Sequence, residues 1–138
     1  MTVTTAVDVS LLGIVAATIG YQALGALWYG PVFGSRWMDA MGYADSADVP
    51  GENATAGYAI TAVGSLVAVT LLGVLIDWVG ATTLTEGLVV GALVGVGFVA
   101  TTGLQSVPFE ERPWSVYLLS AGYNVVALAG AGALLGLL

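Results

Sequence analysis

Ala26-Leu27-Trp28-Tyr29-Gly30-Pro31-Val32-Phe33-Gly34-Ser35-Arg36-Trp37 marks the point where a long apolar run meets water. It holds two of the four Trp and one of the two basic residues of the chain. Upstream of it, Val9 to Trp28 is apolar for roughly 20 residues, enough at ~1.5 Å per residue to cross a hydrocarbon core of ~30 Å. Trp28 and Tyr29 end that run, where aromatic rings settle at the head-group level of a bilayer. Gly30-Pro31 then breaks the helix, and Pro suits the first position of a new one. Phe33, Trp37 and Met41 recur every fourth residue and share one face. This spacing predicts a short interfacial helix over about Pro31 to Met41, with the aromatic face turned to the apolar layer and Arg36 and Asp39 nearer water. Gly42 is placed to close it.

The composition agrees with a membrane solvent. Of 138 residues, 58% are hydrophobic and 8% charged, with mean hydropathy +0.96. Soluble domains carry about 25% charged residues, so this chain cannot cover a soluble surface. With no Cys there is no disulfide, thiolate metal site or thiol nucleophile, and with no His the commonest general base is missing. Lys and Arg number 2 against 9 Asp and Glu, giving a net charge of −7 and a pI near 4.1. That balance excludes a nucleic-acid partner and a polybasic lipid-binding segment. An acidic excess of this kind suits a cell with concentrated salt inside, where the Debye length shrinks to about 3 Å. The N-terminus, Met1 to Asp8, lacks a basic n-region, so the first apolar run reads as a retained span.

Three further spans follow, making an all-α protein of four transmembrane helices in one domain. They are expected at about 57–76, 86–105 and 114–138, after a first at 9–28. Tyr43 to Ala56 reads as a polar loop with a turn at Pro50-Gly51. Thr83 or Thr85 is the expected cap of the third span, with Glu86 in its first turn. The short connection Ser106 to Pro113 makes the third and fourth spans antiparallel neighbours. Arg36 and Arg112, the only basic residues, fall in the first and third connections, which share one side. The positive-inside rule puts those connections in the cytoplasm and both termini outside. On that topology the Asn53-Ala54-Thr55 sequon is cytoplasmic and is discounted.

The run Gly25-Ala-Leu-Trp-Tyr-Gly-Pro-Val-Phe-Gly-Ser-Arg-Trp37-Met38, with a later span opening Arg112-Pro-Trp and continuing into Gly122-Tyr123, resembles the small integral-membrane proteins grouped as domain of unknown function 1761. The likeness covers nearly the whole chain. It implies a four-helix membrane protein and no particular activity. In such proteins a basic residue is frequent directly after the Phe-Gly; here Ser35 stands there and the charge is on Arg36.

Three sets of residues are candidates for a role. The first is the junction motif itself: Trp28, Tyr29, Pro31, Phe33, Gly34, Arg36 and Trp37. The second is polar. Polar groups within the spans gather toward the cytoplasmic half, and an unpaired amide in hydrocarbon costs several kcal/mol. Gln22 and Asn124 are therefore expected to face protein or water. With Tyr123 they form a candidate network, either as interhelical glue or as a shallow vestibule for a small ligand or lipid head group. The third set is glycine. Gly87, Gly91 and Gly95 line one face of the third span, and Gly132 and Gly136 one face of the fourth. They serve either packing within the subunit or a seam between two copies. Arg36 is also placed to pair with Glu110 or Glu111. The connections at Pro31 and Pro108 look alike enough to suggest two related helix pairs.

No ionisable residue lies deep in a span, which argues against a proton-coupled pump. No catalytic, cofactor or metal motif is present. The function expected is a non-enzymatic membrane component acting through helix packing, as an accessory or oligomeric subunit whose partners are the lipid bilayer and a second copy or another membrane protein. The alternative is a small dimeric transporter or channel opening on the cytoplasmic polar cluster.

Overall fold

The computed structural model describes residues 9–43 and 54–138, and among them it contains helices and no strand. Four helical segments are long and apolar enough to cross a membrane: Leu11–Val32, Thr55–Val79, Leu84–Phe109 and Trp114–Leu137. They correspond to the four expected spans. The first runs on to Val32 instead of ending at Trp28, and the third runs on to Phe109 instead of Gln105. The expected turn at Pro50-Gly51 and the N-terminal octapeptide lie outside the described residues.

Helix α1 is Leu11–Leu27, opened by Ser10, whose hydroxyl accepts from Gly13 N at 3.1 Å. A wide helical turn, Trp28–Val32, prolongs it and takes in Pro31. Pro has no N–H to give, so an ordinary helical turn cannot continue through it. Gly30 leaves the helical region instead (φ −107°, ψ −108°), and Phe33 N reaches back to Trp28 O at 2.8 Å. Helix α2, Gly34–Met41, therefore begins three residues later than the expected Pro31 start, with Phe33 in the capping position. A Cβ on Gly34 would stand 2.9 Å from the Tyr29 carbonyl oxygen, so the doubled-back chain needs glycine there. Gly42 ends α2 at φ +83°, with Tyr43 N bonded to Met38 O at 2.8 Å.

Helix α3 is Ala54–Val79. Helix α4, Leu84–Val94, is capped by Thr83, whose hydroxyl oxygen accepts from Glu86 N at 3.1 Å. The Glu86 carboxylate in turn accepts from Thr82 N at 3.2 Å, a reciprocal cap. After α4 come a wide turn, Gly95–Ala100, and two short helices, α5 (Thr101–Gly103) and α6 (Ser106–Phe109). Helix α7, Trp114–Leu137, closes the fold, with Pro113 at its cap.

Helix α7 is the centre of the bundle, packed most extensively on α4, then on α1, and more lightly on α3. Its contact with α4 is backbone on backbone. A Cβ on Gly87 would overlap the Gly132 carbonyl oxygen, one on Gly91 that of Leu128, one on Gly132 that of Gly87, and one on Gly136 that of Thr83. At Gly95 the added carbon would lie 2.9 Å from Val125 Cα. The glycine faces thus meet each other inside one chain. The face considered for a seam between copies is already occupied, because van der Waals contact in lipid is greatest where two small-residue faces meet. The apolar core proper joins α1, α3 and α7 through Ala17, Val69, Leu72, Ile76, Leu128, Ala131 and Leu135.

The two helix pairs do not repeat one another. Helices α4 and α7 touch along glycine, whereas α3 diverges from the bundle at its start. Residues Thr55 to Gly64 are all exposed, and Ser65 is the first buried residue of α3. The connections differ as well: Pro31 and Pro108 both lie in helical turns, but the turn at Pro31 leads into the eight-residue α2, whereas the short helix that holds Pro108 ends at Phe109.

Candidate functional site

The polar groups collect at the end of the bundle that carries Trp28, Arg36 and Arg112. The Tyr21 hydroxyl donates to Asn124 Oδ1 at 2.8 Å, and Asn124 Nδ2 donates to the Ser120 carbonyl at 3.0 Å. The Tyr123 hydroxyl donates to the Tyr21 carbonyl at 2.8 Å, tying α7 to α1 a second time. The Trp28 indole N–H donates to the Leu119 carbonyl at 3.0 Å. Glycine makes room for these rings. A Cβ on Gly25 would come within 2.9 Å of the Tyr123 hydroxyl, and one on Gly122 within 3.2 Å of the Trp28 ring.

Aromatic contacts extend the cluster into α2. Tyr123 meets Tyr21 edge-on at 5.4 Å and Tyr29 at 5.5 Å; Tyr29 meets Trp37 at 6.2 Å; Phe33 lies 4.6 Å from Trp28. The junction motif is thus one aromatic assembly, and α2 turns Phe33 and Trp37 onto the ends of α1 and α7. The expected helix with Phe33, Trp37 and Met41 facing the apolar layer is corrected accordingly. Phe33 and Trp37 find ring partners within the chain, while Met41 remains exposed. Edge-on ring contacts add to simple burial, which favours the folded-back arrangement.

Two other expectations are corrected. Gln22 does not join Tyr123 and Asn124; its Nε2 donates to the Ser65 hydroxyl of α3 at 2.9 Å. Successive helix residues are ~100° apart, so Tyr21 and Gln22 address different neighbours, α7 and α3. Arg36 does not pair with Glu110 or Glu111. Among the described residues it makes no ion pair, and its guanidinium lies 5.9 Å from the Phe33 ring centre. A flexible surface ion pair is worth only ~0–1 kcal/mol, too little to hold the two connections together.

Arg112 stands between two cavities. One, of about 210 Å³, is lined by Ser106, Tyr117, Ser120 and Asn124 besides Arg112. The second, of about 290 Å³, is lined by Tyr29, Trp37 and Val116 and shares Arg112 and Ser120. The wide turn Gly95–Ala100 supplies one wall: Val99 lines the first cavity, and the Ala100 carbonyl accepts the Tyr117 hydroxyl. A third space, of about 520 Å³, lies between the diverging ends of α1 and α3. Gly25, Tyr29, Gly57, Tyr58, Thr61 and Tyr123 line it.

Tyr21, Ser65 and Ser106 carry more of this end than sequence reading assigned to them. Tyr21 was legible only as one more polar group in the right half of a span. The two serines are small enough to pass as packing residues. Among the described residues no three His, Cys, Asp or Glu side chains gather where they would hold a metal ion.

No curated protein and no solved structure matches the chain. One family model does, over residues 12–136, which run from the first turn of α1 to the last turn of α7. The chain thus belongs to the family described as "Protein of unknown function (DUF1761)".

Proposed function

We propose that the protein is a non-enzymatic, multi-pass component of the cell membrane that completes its bundle against a second copy of itself. One observation carries this reading. Thr55 to Gly64, at the start of the second span, are all exposed, and an open space of about 520 Å³ lies between them and α1. A Cβ on Gly57 or Gly64 would meet nothing within 4 Å. Thr61 bonds its hydroxyl to its own helix, at 3.0 Å to the Gly57 carbonyl. Gly57, Thr61 and Gly64 fall on one helix face, a small-residue strip on which the Thr61 hydroxyl is satisfied, which lets another helix approach closely in lipid. A twofold axis beside α3 brings two such surfaces together and closes both gaps at once.

Arg36 and Arg112 lie in connections at the same end, and the positive-inside rule assigns that end to the cytoplasm and both termini to the outside. The non-enzymatic reading draws on the polar cluster itself, whose Tyr21 and Tyr123 hydroxyls and Asn124 side-chain oxygen are already bonded within the chain. The alternative, a small dimeric transporter or channel, shares the second copy and draws on the cavities around Arg112; solute flux into liposomes separates the two.

Single cysteines test the proposal in this Cys-free chain. Cysteine placed in turn at Gly57, Thr61 and Gly64 should give a dimer with a short bismaleimide in native membranes. Cysteine at Thr82 should label from outside. Failure of all three positions to cross-link removes the second copy from this face, and labelling of Thr82 from the cytoplasm reverses the orientation.

A further inference from the structure

We propose that the cavity beside Arg112 binds a phosphate group, carried by a lipid head group or by a dissolved phosphate. Around the exposed Arg112 the lining carries the hydrogen-bonding side chains of Ser106, Ser120 and Asn124, with apolar residues between them. Arg112 makes no ion pair among the described residues, although Glu110 and Glu111 precede it; both are exposed, and neither lines either cavity. A guanidinium left without a carboxylate presents a planar fork of N–H groups suited to two phosphate oxygens.

Ser106 is the second element. It is 9% exposed, lines the cavity, and its hydroxyl has no hydrogen-bond partner among the described residues. Its oxygen reaches the cavity, where the hydroxyl can donate to an acceptor that arrives from outside the chain. The backbone holds it in place: the Ser106 carbonyl accepts from Glu110 N at 3.3 Å and from Arg112 N at 3.1 Å, closing the loop that carries the arginine. Asn124 is the third element. One of its two N–H groups is spent on the Ser120 carbonyl, and the other is available. Helix α7 begins two residues after Arg112 with no side-chain cap, so the positive end of its dipole falls beside the same cavity.

Size and position fit the group. A space of about 210 Å³ accommodates a tetrahedral anion, and the adjoining space of about 290 Å³, sharing Arg112 and Ser120, leaves room for what the phosphate is attached to. Trp37 and Tyr29 line that second space, and such rings sit at the depth of lipid phosphates.

The test is calorimetric titration of the full-length protein in a neutral maltoside detergent, at fixed ionic strength, with two probes: inorganic phosphate and dihexanoyl phosphatidylglycerol. Saturable binding of phosphate identifies a dissolved ligand, and binding of the lipid alone identifies a head group; either supports the site. Arg112→Gln should weaken binding about tenfold or more, as expected for a charge-assisted pair. Ser106→Ala should weaken it roughly threefold to tenfold, and it keeps the test valid if the arginine variant is poorly folded. Arg36→Gln, which removes the other cation of the chain and lines neither cavity, should leave binding unchanged. Absence of binding by either probe overturns the proposal. An equal loss in Arg36→Gln also overturns it, because attraction would then follow net charge and not the cavity.

Discussion

Gly91→Leu is expected to destabilise the protein by about 3 kcal/mol or more and to separate α4 from α7. A Cβ at Gly91 would overlap the Leu128 carbonyl oxygen and lie 3.0 Å from Ala129 Cα. Both are backbone atoms of a helix, so no side chain can rotate away to make room. The helices must move apart, and the neighbouring contacts at Gly87, Gly132 and Gly136 are lost with them, since all lie on one seam. Helix propensity works in the opposite direction, because Leu is better than Gly in a helix by somewhat under ~1 kcal/mol. The measured loss is therefore the packing cost less that gain. Gly97→Leu is the matched control: it lies on the same span, and a Cβ there meets nothing within 4 Å. Reversible unfolding in mixed dodecyl sulfate and maltoside micelles reads both. Similar stabilities for the two variants would show that the seam does not hold the hairpin.

The second large effect is at Asn124. Asn124→Leu should cost about 1–2 kcal/mol, because the Tyr21 hydroxyl loses its acceptor in a half-buried setting. Tyr21→Phe removes the other partner. The pair should then show a coupling of about 0.5–1.5 kcal/mol in a double-mutant cycle. Gln22 provides the contrast. Its partner is Ser65, on a different helix, so Gln22→Leu and Asn124→Leu should add within ~0.5 kcal/mol. Strong coupling between Gln22 and Asn124 would restore the single network read from the sequence and contradict the two separate bonds described here.

These cases show what sequence makes visible in a chain of this kind. Span number and antiparallel hairpins follow from run length and from Trp, Pro and Gly at the boundaries, because hydrocarbon thickness sets helix length directly; the ends of the first and third spans do not, since both helices run on past the expected Trp28 and Gln105. The glycine faces of α4 and α7 were legible because residues four apart must share a face. Which helix meets which was not legible. The spans are apolar nearly all round, so no amphipathic stripe marks the inward side. Gln22 illustrates the difficulty: its need for a partner follows from its chemistry, but the choice between α3 and α7 depends on its angle around α1. The wide turn at Gly95–Ala100 and the divergence of Thr55 to Gly64 left no sequence signal, since both arise from packing between helices rather than from local preference. Ser106 is prominent only once Arg112 and α7 are placed beside it.

The central claim is that one chain leaves its bundle open and a second copy closes it. The most direct measurement is the mass of the protein in maltoside micelles by light scattering, with the detergent contribution subtracted, over a range of protein-to-detergent ratios. The account predicts twice the chain mass of 13.9 kDa, with the dimer lost on replacing Gly57 and Gly64 by Leu. A mass of one chain at every ratio would contradict it and leave the space between α1 and α3 to lipid.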